Sequence, residues 1–425
     1  MLVEFSVDNF RSIKNEARLS LVAGPGKEHR ETHLVTPELN EGVRSVPLVR
    51  AAAIYGANAA GKTNLVRALQ AMQHIVTRSD RELQDLPVAP FQFDSEGKGQ
   101  PTTFEVIAIT NRIRFQYGFS ARRDLVTEEW LYAWPRGRIQ FWFERTTDAE
   151  TGAVSCKFGD KLAGDKEIWR RATRPNALLL STAVTLNSEQ LKPIFDWFHE
   201  NLHIAGVGGW ANFFSVEWCN GDRKAEVVRF LRSADLAIGD VRVVLKEFSP
   251  EMLPEDLPSE LKQHVQENMS GAKFPEVRVS HDTSGGRPVE LDLDDESDGT
   301  QKMFALAAPW LDTLANGHVI VFDELHDNLH PALVRFLVDR FHNPEANSNG
   351  AQLVFTTHDT SILNQDVFRR DQVWFCERNS RHETRVFPLT DFRPRRGVEN
   401  LERSYLSGRY GALPYIRPVT ARSKA

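Results

Sequence analysis

Apolar residues change their period several times along the chain, and each change marks an element. Residues 51–55, AAAIY, form a continuous apolar run closed by Gly56, the pattern of a parallel strand buried on both faces. After the glycine-rich segment that follows, Leu65, Leu69, Met72 and Val76 recur at spacings of four, three and four, which is one face of a helix. From about 102 to 158 the stretches TFEVIAI, RIRFQYGFSA, EEWLYAW and RIQFWFER are β-rich and parted by turns at Thr110-Asn111 and Trp134-Pro135-Arg136-Gly137. They predict an antiparallel meander. The opening LVEFSVDNFRSI predicts an early strand. Residues 160–275 read as mainly helical in KEIWRRA, SEQLKPIFDWFHENL, KAEVVRFLRSA and LPSELKQHVQENM, without the sustained heptads of a long coiled coil. HVIVF (318–322) and QLVFT (352–356) predict two more buried strands around a helix from about Pro331 to Phe341, and VWFC (373–376) follows. Strands and helices around a glycine loop imply an α/β core.

Composition narrows the classes. At 425 residues, with 41% hydrophobic and 26% charged positions, the chain is globular and large enough for two lobes or one enlarged domain. Its net charge of −6 gives no general pull toward nucleic acid or anionic membrane, so any DNA contact would be a local patch. Arg393, Arg395 and Arg396 in FRPRRG form a local basic cluster, which reads as a phosphate contact or a solvated loop. Cys156, Cys219 and Cys376 lie far apart with no CxxC spacing, against a disulfide framework or a zinc site. The start MLVEFSVDNF is acidic where a signal peptide is basic, and no apolar run reaches about 18 residues, so a cytoplasmic chain with no membrane association is expected.

Four short motifs carry chemistry. Gly56-Ala57-Asn58-Ala59-Ala60-Gly61-Lys62-Thr63 fits G-x-x-x-x-G-K-[ST] between a predicted strand and a predicted helix. Its backbone N–H groups would close around phosphates, with Lys62 on the β- and γ-phosphates and Thr63 on Mg²⁺. Val319-Ile320-Val321-Phe322 ends in Asp323-Glu324, which would set an Mg²⁺ ligand, Asp323, beside a general base, Glu324. Ser297-Asp298-Gly299-Thr300-Gln301 precedes a helical run; Ser297 reads as a helix cap or as an anion-binding helix start, and the two are compatible. Thr356-Thr357-His358-Asp359 ends the next strand. His326 and His330 lie four apart, but Pro331 and the lack of a third ligand argue against a metal site there.

In this order the motifs resemble the ABC-type ATPases: a Walker A loop, a short Ser-x-Gly-x-Gln signature, Walker B and a switch histidine, with Leu325–Pro331 in the place of the D-loop. The spacing of about 235 residues from Lys62 to Ser297, the Leu after Glu324 and Asn64 after the P-loop depart from transporters and resemble the soluble branch of chromosome-maintenance proteins, RecF and overcoming-lysogenization ATPases. VDNFRSIKNEARLSLVAG, AAAIYGANAAGKTNLVRALQ, ESDGTQKMFALA, FDELHDNLHP and NLERSYLSGRYGALPYI further resemble RloA or AbiL-type ATPases of bacterial anti-phage loci.

The resemblance implies an ABC-ATPase head with a P-loop parallel core, an antiparallel β meander and a mainly helical inserted lobe. Its divisions would be 1–158, the N-terminal part of the core; 159–290, the lobe; and 291–425, the C-terminal part with the signature, Walker B, switch histidine and tail. It implies ATP and Mg²⁺ as cofactors, held by Gly56 to Asn64 and by Ser297 and Gly299, with catalysis by Glu324, His358 and Lys62. Asn9, Phe10, Arg11 and Ser12 would lie at the adenine end. Gln92 is taken as the Q-loop contact to Mg²⁺, with Gln190 as the other possibility. Two chains would pair head to tail through ATP, as a homodimer or higher homo-oligomer, and control an effector encoded nearby, such as an RloB-type protein. The alternatives are a RecF-like clamp on duplex DNA and a self-contained nuclease, the latter disfavoured because the roughly 65 residues after His358 hold no Asp-x-Asp.

Overall fold

No residue of the strand Ala51–Tyr55 touches solvent, and parallel strands pair with it on both edges. In the computed structural model it lies within a six-stranded sheet ordered Leu202–Ala205, Val319–Phe322, Gln352–Thr357, Ala51–Tyr55, Val373–Arg378 and Thr384–Pro388. The first five are parallel and the last is antiparallel. The structure describes all residues except 82, 149, 207–208, 250–257, 270–272, 284, 396 and 415–425. The continuous apolar runs AAAIY, VIVF and QLVFTT are therefore the interior strands, as a sheet covered on both faces requires.

The predicted meander is larger than its four strands. Thr102–Thr110, Ile113–Ala121, Val126–Arg136 and Arg138–Thr147 pair in succession, Val154–Phe158 extends one edge, and Leu2–Asp8 with Ala17–Ser20 extends the other. Asn111 and Arg112, both left-handed, make the first turn. At the next turn the expectation is corrected. Pro135 stays inside its strand where the register slips between Ala133 and Arg136, and Gly137, at φ 59°, makes the reversal. A bulge accommodates the missing proline N–H.

The helix Lys62–Arg78 carries Leu65, Leu69, Met72 and Val76 on one buried face, and they join a continuous core with Phe5, Phe104, Phe119, Ile54 and Val321. A buried carboxylate ties the meander to its neighbour: Glu129 accepts the N–H groups of Leu179 and Leu180 at 2.6 and 3.0 Å and the Tyr117 hydroxyl at 3.0 Å. Burial pushes its pKa up, and Arg145, 3.8 Å away, opposes that.

The chain forms two units, one of Met1–Gly209, Thr313–Asp327 and Val334–Ala425 and the other of Trp210–Asp312 and Asn328–Leu333. The helices Lys166–Ala172, Leu179–Thr185 and Lys192–Asp196 belong to the first. In the second, the helices Phe213–Asn220, Lys224–Ser233 and Ser259–Met269 accompany an antiparallel sheet of Ile238–Glu247, Lys273–His281 and Val289–Asp292. The sequence pattern predicts a mainly helical stretch here, and the structure adds this sheet to the helices. Val241, Val277 and Val279 are buried whereas Leu245, Val289 and Leu291 are exposed, so few apolar positions mark the alternation.

Candidate functional site

The loop after Ala51–Tyr55 is shaped by what lies against it. A Cβ on Gly56 would strike the carbonyl of Cys376, and one on Gly61, held at φ 107°, would strike the Thr384 side chain. Glycine is required at both ends of the turn. Between them Ala59 is left-handed, at φ 62°, and the loop feeds directly into the helix starting at Lys62. Ser12, Ala57 to Asn64, Arg67, Glu324 and Arg378 line a cavity of about 450 Å³. A glycine loop at a helix start, ringed by Lys62, Arg67 and Arg378, is suited to a polyphosphate.

A chain of hydroxyls braces this loop. Asn64 Nδ2 donates to Ser12 Oγ at 2.7 Å, Ser12 and Thr384 share a 2.7 Å hydrogen bond, and Thr384 Oγ1 donates to the Ala60 carbonyl at 2.9 Å. The Thr384 N–H donates to the Ser12 carbonyl at 2.7 Å. Ser12 thus lines the cavity and supports the loop at once.

Lys62 is 3% exposed. Its Nζ donates to the Gly56 carbonyl at 2.9 Å and lies 3.3 Å from Glu324 Oε1. Walker A and the Asp-Glu pair therefore meet at one point. Asp323 is 2% exposed; its Oδ1 accepts from Thr356 Oγ1 at 2.6 Å and its Oδ2 has no hydrogen-bond partner. A buried carboxylate oxygen without a donor fits a cation ligand, so Asp323 with Thr63 is a suitable donor set for Mg²⁺. When bound there, that ion would neutralise charge on phosphate oxygens.

Glu324 adopts φ 54°, unusual for a side chain of its size, and its N–H donates to Thr356 Oγ1 at 2.8 Å. The strain turns its carboxylate toward Lys62 on one side and toward two imidazoles on the other. His358 Nδ1 lies 3.4 Å and His326 Nδ1 3.5 Å from Glu324 Oε2, and the two Nε2 atoms are 3.0 Å apart. Burial, then the neighbouring His358, holds His326 below the ordinary imidazole pKa.

Ser297 and Gly299 belong to the second unit, where Ser297 Oγ accepts the Thr300 N–H at 3.3 Å as a helix cap and Gly299 packs under the Asn328 carbonyl. Asn9 is buried and committed to the fold, donating to the Gly97 carbonyl and accepting the Phe91 N–H, and Phe10 is 2% exposed. Arg11 is exposed, its pKa lowered by desolvation and then by Arg67. Gln92 is exposed, outside the cavity lining, and donates to the Pro90 carbonyl; Gln190 pairs with Ala163 and Lys161. His330 accepts the Ala332 N–H. The Arg395 N–H donates to Glu399, and Arg396 lies outside the described residues. The three cysteines are free, and burial pushes Cys376 up to about 12. Among the described residues no helix is long and apolar enough to cross a membrane.

The sequence reading missed Thr384, Arg67, Arg378 and the pairing of His326 with His358. Arg67 could have been found, since it lies one helical turn beyond Thr63. Arg378 and Thr384 come from strands far along the chain, and His326 and His358 from the segments that follow two other strands, so their meeting carries no local signal.

Comparison with known proteins adds a family. No curated protein matches the chain. Among solved structures, the SMC head domain from Thermotoga maritima is 11% identical, covering 91% of this chain and 98% of its own, with a TM-score of 0.38. A structure of the recombination mediator protein RecF-ATP in the RecFOR pathway is 14% identical, covering 85% and 94%, with a TM-score of 0.35. A family model does match residues 51–364, a span that opens on the strand before the glycine loop and includes Lys62, Asp323, Glu324 and His358. The chain belongs to the family described as AAA domain, putative AbiEii toxin, Type IV TA system.

Proposed function

We propose that the chain is an Mg²⁺-dependent ATPase of the ABC type that acts as a dimeric switch on a partner effector in bacterial anti-phage defence. The observation that carries the ATPase reading is the convergence of Lys62 and Glu324 on one cavity, with the unpartnered Oδ2 of Asp323 at the strand end beside them. Lys62 and the loop N–H groups hold the phosphates, and Glu324 accepts a proton from the attacking water. His358, beside Glu324, orients the reacting end. The second half of each site, Ser297 and Gly299, comes from a paired chain, so ATP joins two copies. Motif order and the toxin-antitoxin wording of the family support the defence role, and the resemblance to RloA and AbiL-type ATPases supports an effector encoded nearby.

Two variants test the reading. Lys62→Ala should lose ATP binding, measured by fluorescent-nucleotide titration. Glu324→Gln keeps shape and neighbours but removes the base, so it should bind ATP, stop turning over and accumulate as a dimer on sizing with ATP and Mg²⁺. Wild-type affinity in the first, or wild-type turnover in the second, would reject the assignment.

A further inference from the structure

The cluster beyond Glu324 has features that ATP hydrolysis alone does not require. Glu324 Oε2 is buried without a hydrogen-bond partner, and both nearby imidazoles turn a nitrogen toward it. His326 and His358 also face each other edge to face, with ring centroids 4.0 Å apart and Nε2 atoms at 3.0 Å. One ligand atom from each of Glu324, His326 and His358 can be chosen so that all three lie within 4.8 Å of one another. We infer that these three side chains form a binding site for a transition-metal dication of the zinc type, distinct from the Mg²⁺ held with nucleotide.

The donor chemistry selects the ion. Two imidazoles and one carboxylate are a borderline-soft set that suits zinc, whereas Mg²⁺ demands oxygen ligands. The spacing fits as well: two nitrogens each about 2.05 Å from a tetrahedral zinc stand about 3.3 Å apart, a few tenths more than the present Nε2 separation. The ion would replace the proton shared between the rings and supply the buried Oε2 with a partner. Access is open, because the His358 side chain is 51% exposed whereas that of His326 is 10% exposed. Thr357 Oγ1, 3.0 Å from His326 Nδ1, holds that ring so that Nε2, which now faces His358 Nε2, is the nitrogen an ion would take, the outer-shell support that ligating histidines usually have.

The consequence for activity rests on the ATPase reading. Zinc bound there would engage the carboxylate proposed as base and the histidine proposed to orient the reacting end, so hydrolysis would stop while Lys62 and the glycine loop remained free to hold ATP. The site would make turnover sensitive to the supply of free zinc.

The test separates binding from turnover. Nucleotide-free, full-length protein is titrated with ZnCl₂ against a chromophoric chelator, and Co²⁺ is used to record the visible bands of a tetrahedral nitrogen-oxygen site. One tight zinc per chain is expected, weakened roughly 100-fold or more in His326→Ala and in His358→Ala, a larger loss than removal of an outer-shell partner brings. Circular dichroism of each variant checks folding, and His358→Ala, at the more exposed ring, carries the test if His326→Ala does not fold. Unchanged zinc affinity in a folded variant, or no tight zinc in the wild type, would overturn the site. In a second arm the ratio of ATP turnover with and without zinc is compared at saturating Mg²⁺. A protein that binds zinc as expected but has no turnover at any zinc level would count against the ATPase reading and leave the metal site standing. An active enzyme indifferent to zinc would overturn the proposed inhibition.

Discussion

The N–H of Ala57, the second residue of the glycine loop, donates to the carbonyl of Ala412 at 3.0 Å. Residues near the end of the chain thus brace the start of the phosphate loop. The Tyr405 hydroxyl donates to the same carbonyl at 3.0 Å, and the Ala412 N–H donates to Glu377 at 3.1 Å.

That brace predicts a remote effect on nucleotide binding. Tyr410 is fully buried and stacks on Phe375 at 5.5 Å, so Tyr410→Ala should cost about 3–5 kcal/mol of stability. It should also weaken ATP binding without touching any residue of the cavity. Urea unfolding and nucleotide titration of the same variant check both, and a destabilised protein with wild-type affinity would uncouple the tail from the loop.

Gly61→Ala should be worse than an ordinary glycine-to-alanine change. Its φ of 107° is closed to alanine, and the new Cβ would collide with Thr384, whose hydroxyl supports the Ala60 carbonyl. Loss of ATP binding is expected. The Thr384 hydroxyl is the nearest atom to that Cβ and the methyl the next, so Thr384→Ser leaves the closer clash in place, and the double variant Gly61→Ala/Thr384→Ser should stay defective in nucleotide titration.

The proposed sharing of each site between two chains predicts complementation. Ser297→Arg and Lys62→Ala should each be inactive alone. Mixed, they form a heterodimer with one site lacking both elements and one lacking neither, so some turnover should return. No recovery despite mixed dimers shown by differential tagging would favour a site built within one chain or strict coupling of the two.

A stack of histidines away from the cavity predicts acid sensitivity. His33 lies between His29 and His342, with ring centroids at 4.5 and 3.6 Å, and its Nε2 faces the Val367 carbonyl. Burial, together with the neighbouring His29, Arg369 and Arg50 charges, lowers its pKa to about 4, and His342 is lowered too. The unfolded chain therefore binds protons that the folded chain refuses between pH 6.5 and about 4, and stability falls as pH drops through that window. His33 alone should account for up to about 3 kcal/mol by pH 4. Urea midpoints at pH 7 and pH 5 would show the loss, and His33→Gln should reduce the difference between them.

How far the sequence reached is clearest residue by residue. Gly56, Gly61, Lys62 and Thr63 were legible because a phosphate loop is a local object: eight consecutive residues between an all-apolar strand and an amphipathic helix contain the whole signal. Asp323 and Glu324 were legible for the same reason, at the end of VIVF. The meander was legible in its central strands, where alternation is strong, but the hairpin-like sheet around Val241 and Val279 was not, because too few of its positions are buried. Only the tertiary structure decided that Lys62 meets Glu324, that Thr384 and Ser12 brace the loop, that Ala412 caps it, and that His326 pairs with His358 rather than with His330. Those relations depend on strand order in the six-stranded sheet, which sets the ends of Ala51–Tyr55, Val319–Phe322, Gln352–Thr357 and Val373–Arg378 side by side. Local periodicity reports which face of a strand is buried; it has no information on which strand lies beside which, because that choice is made by contacts hundreds of residues apart.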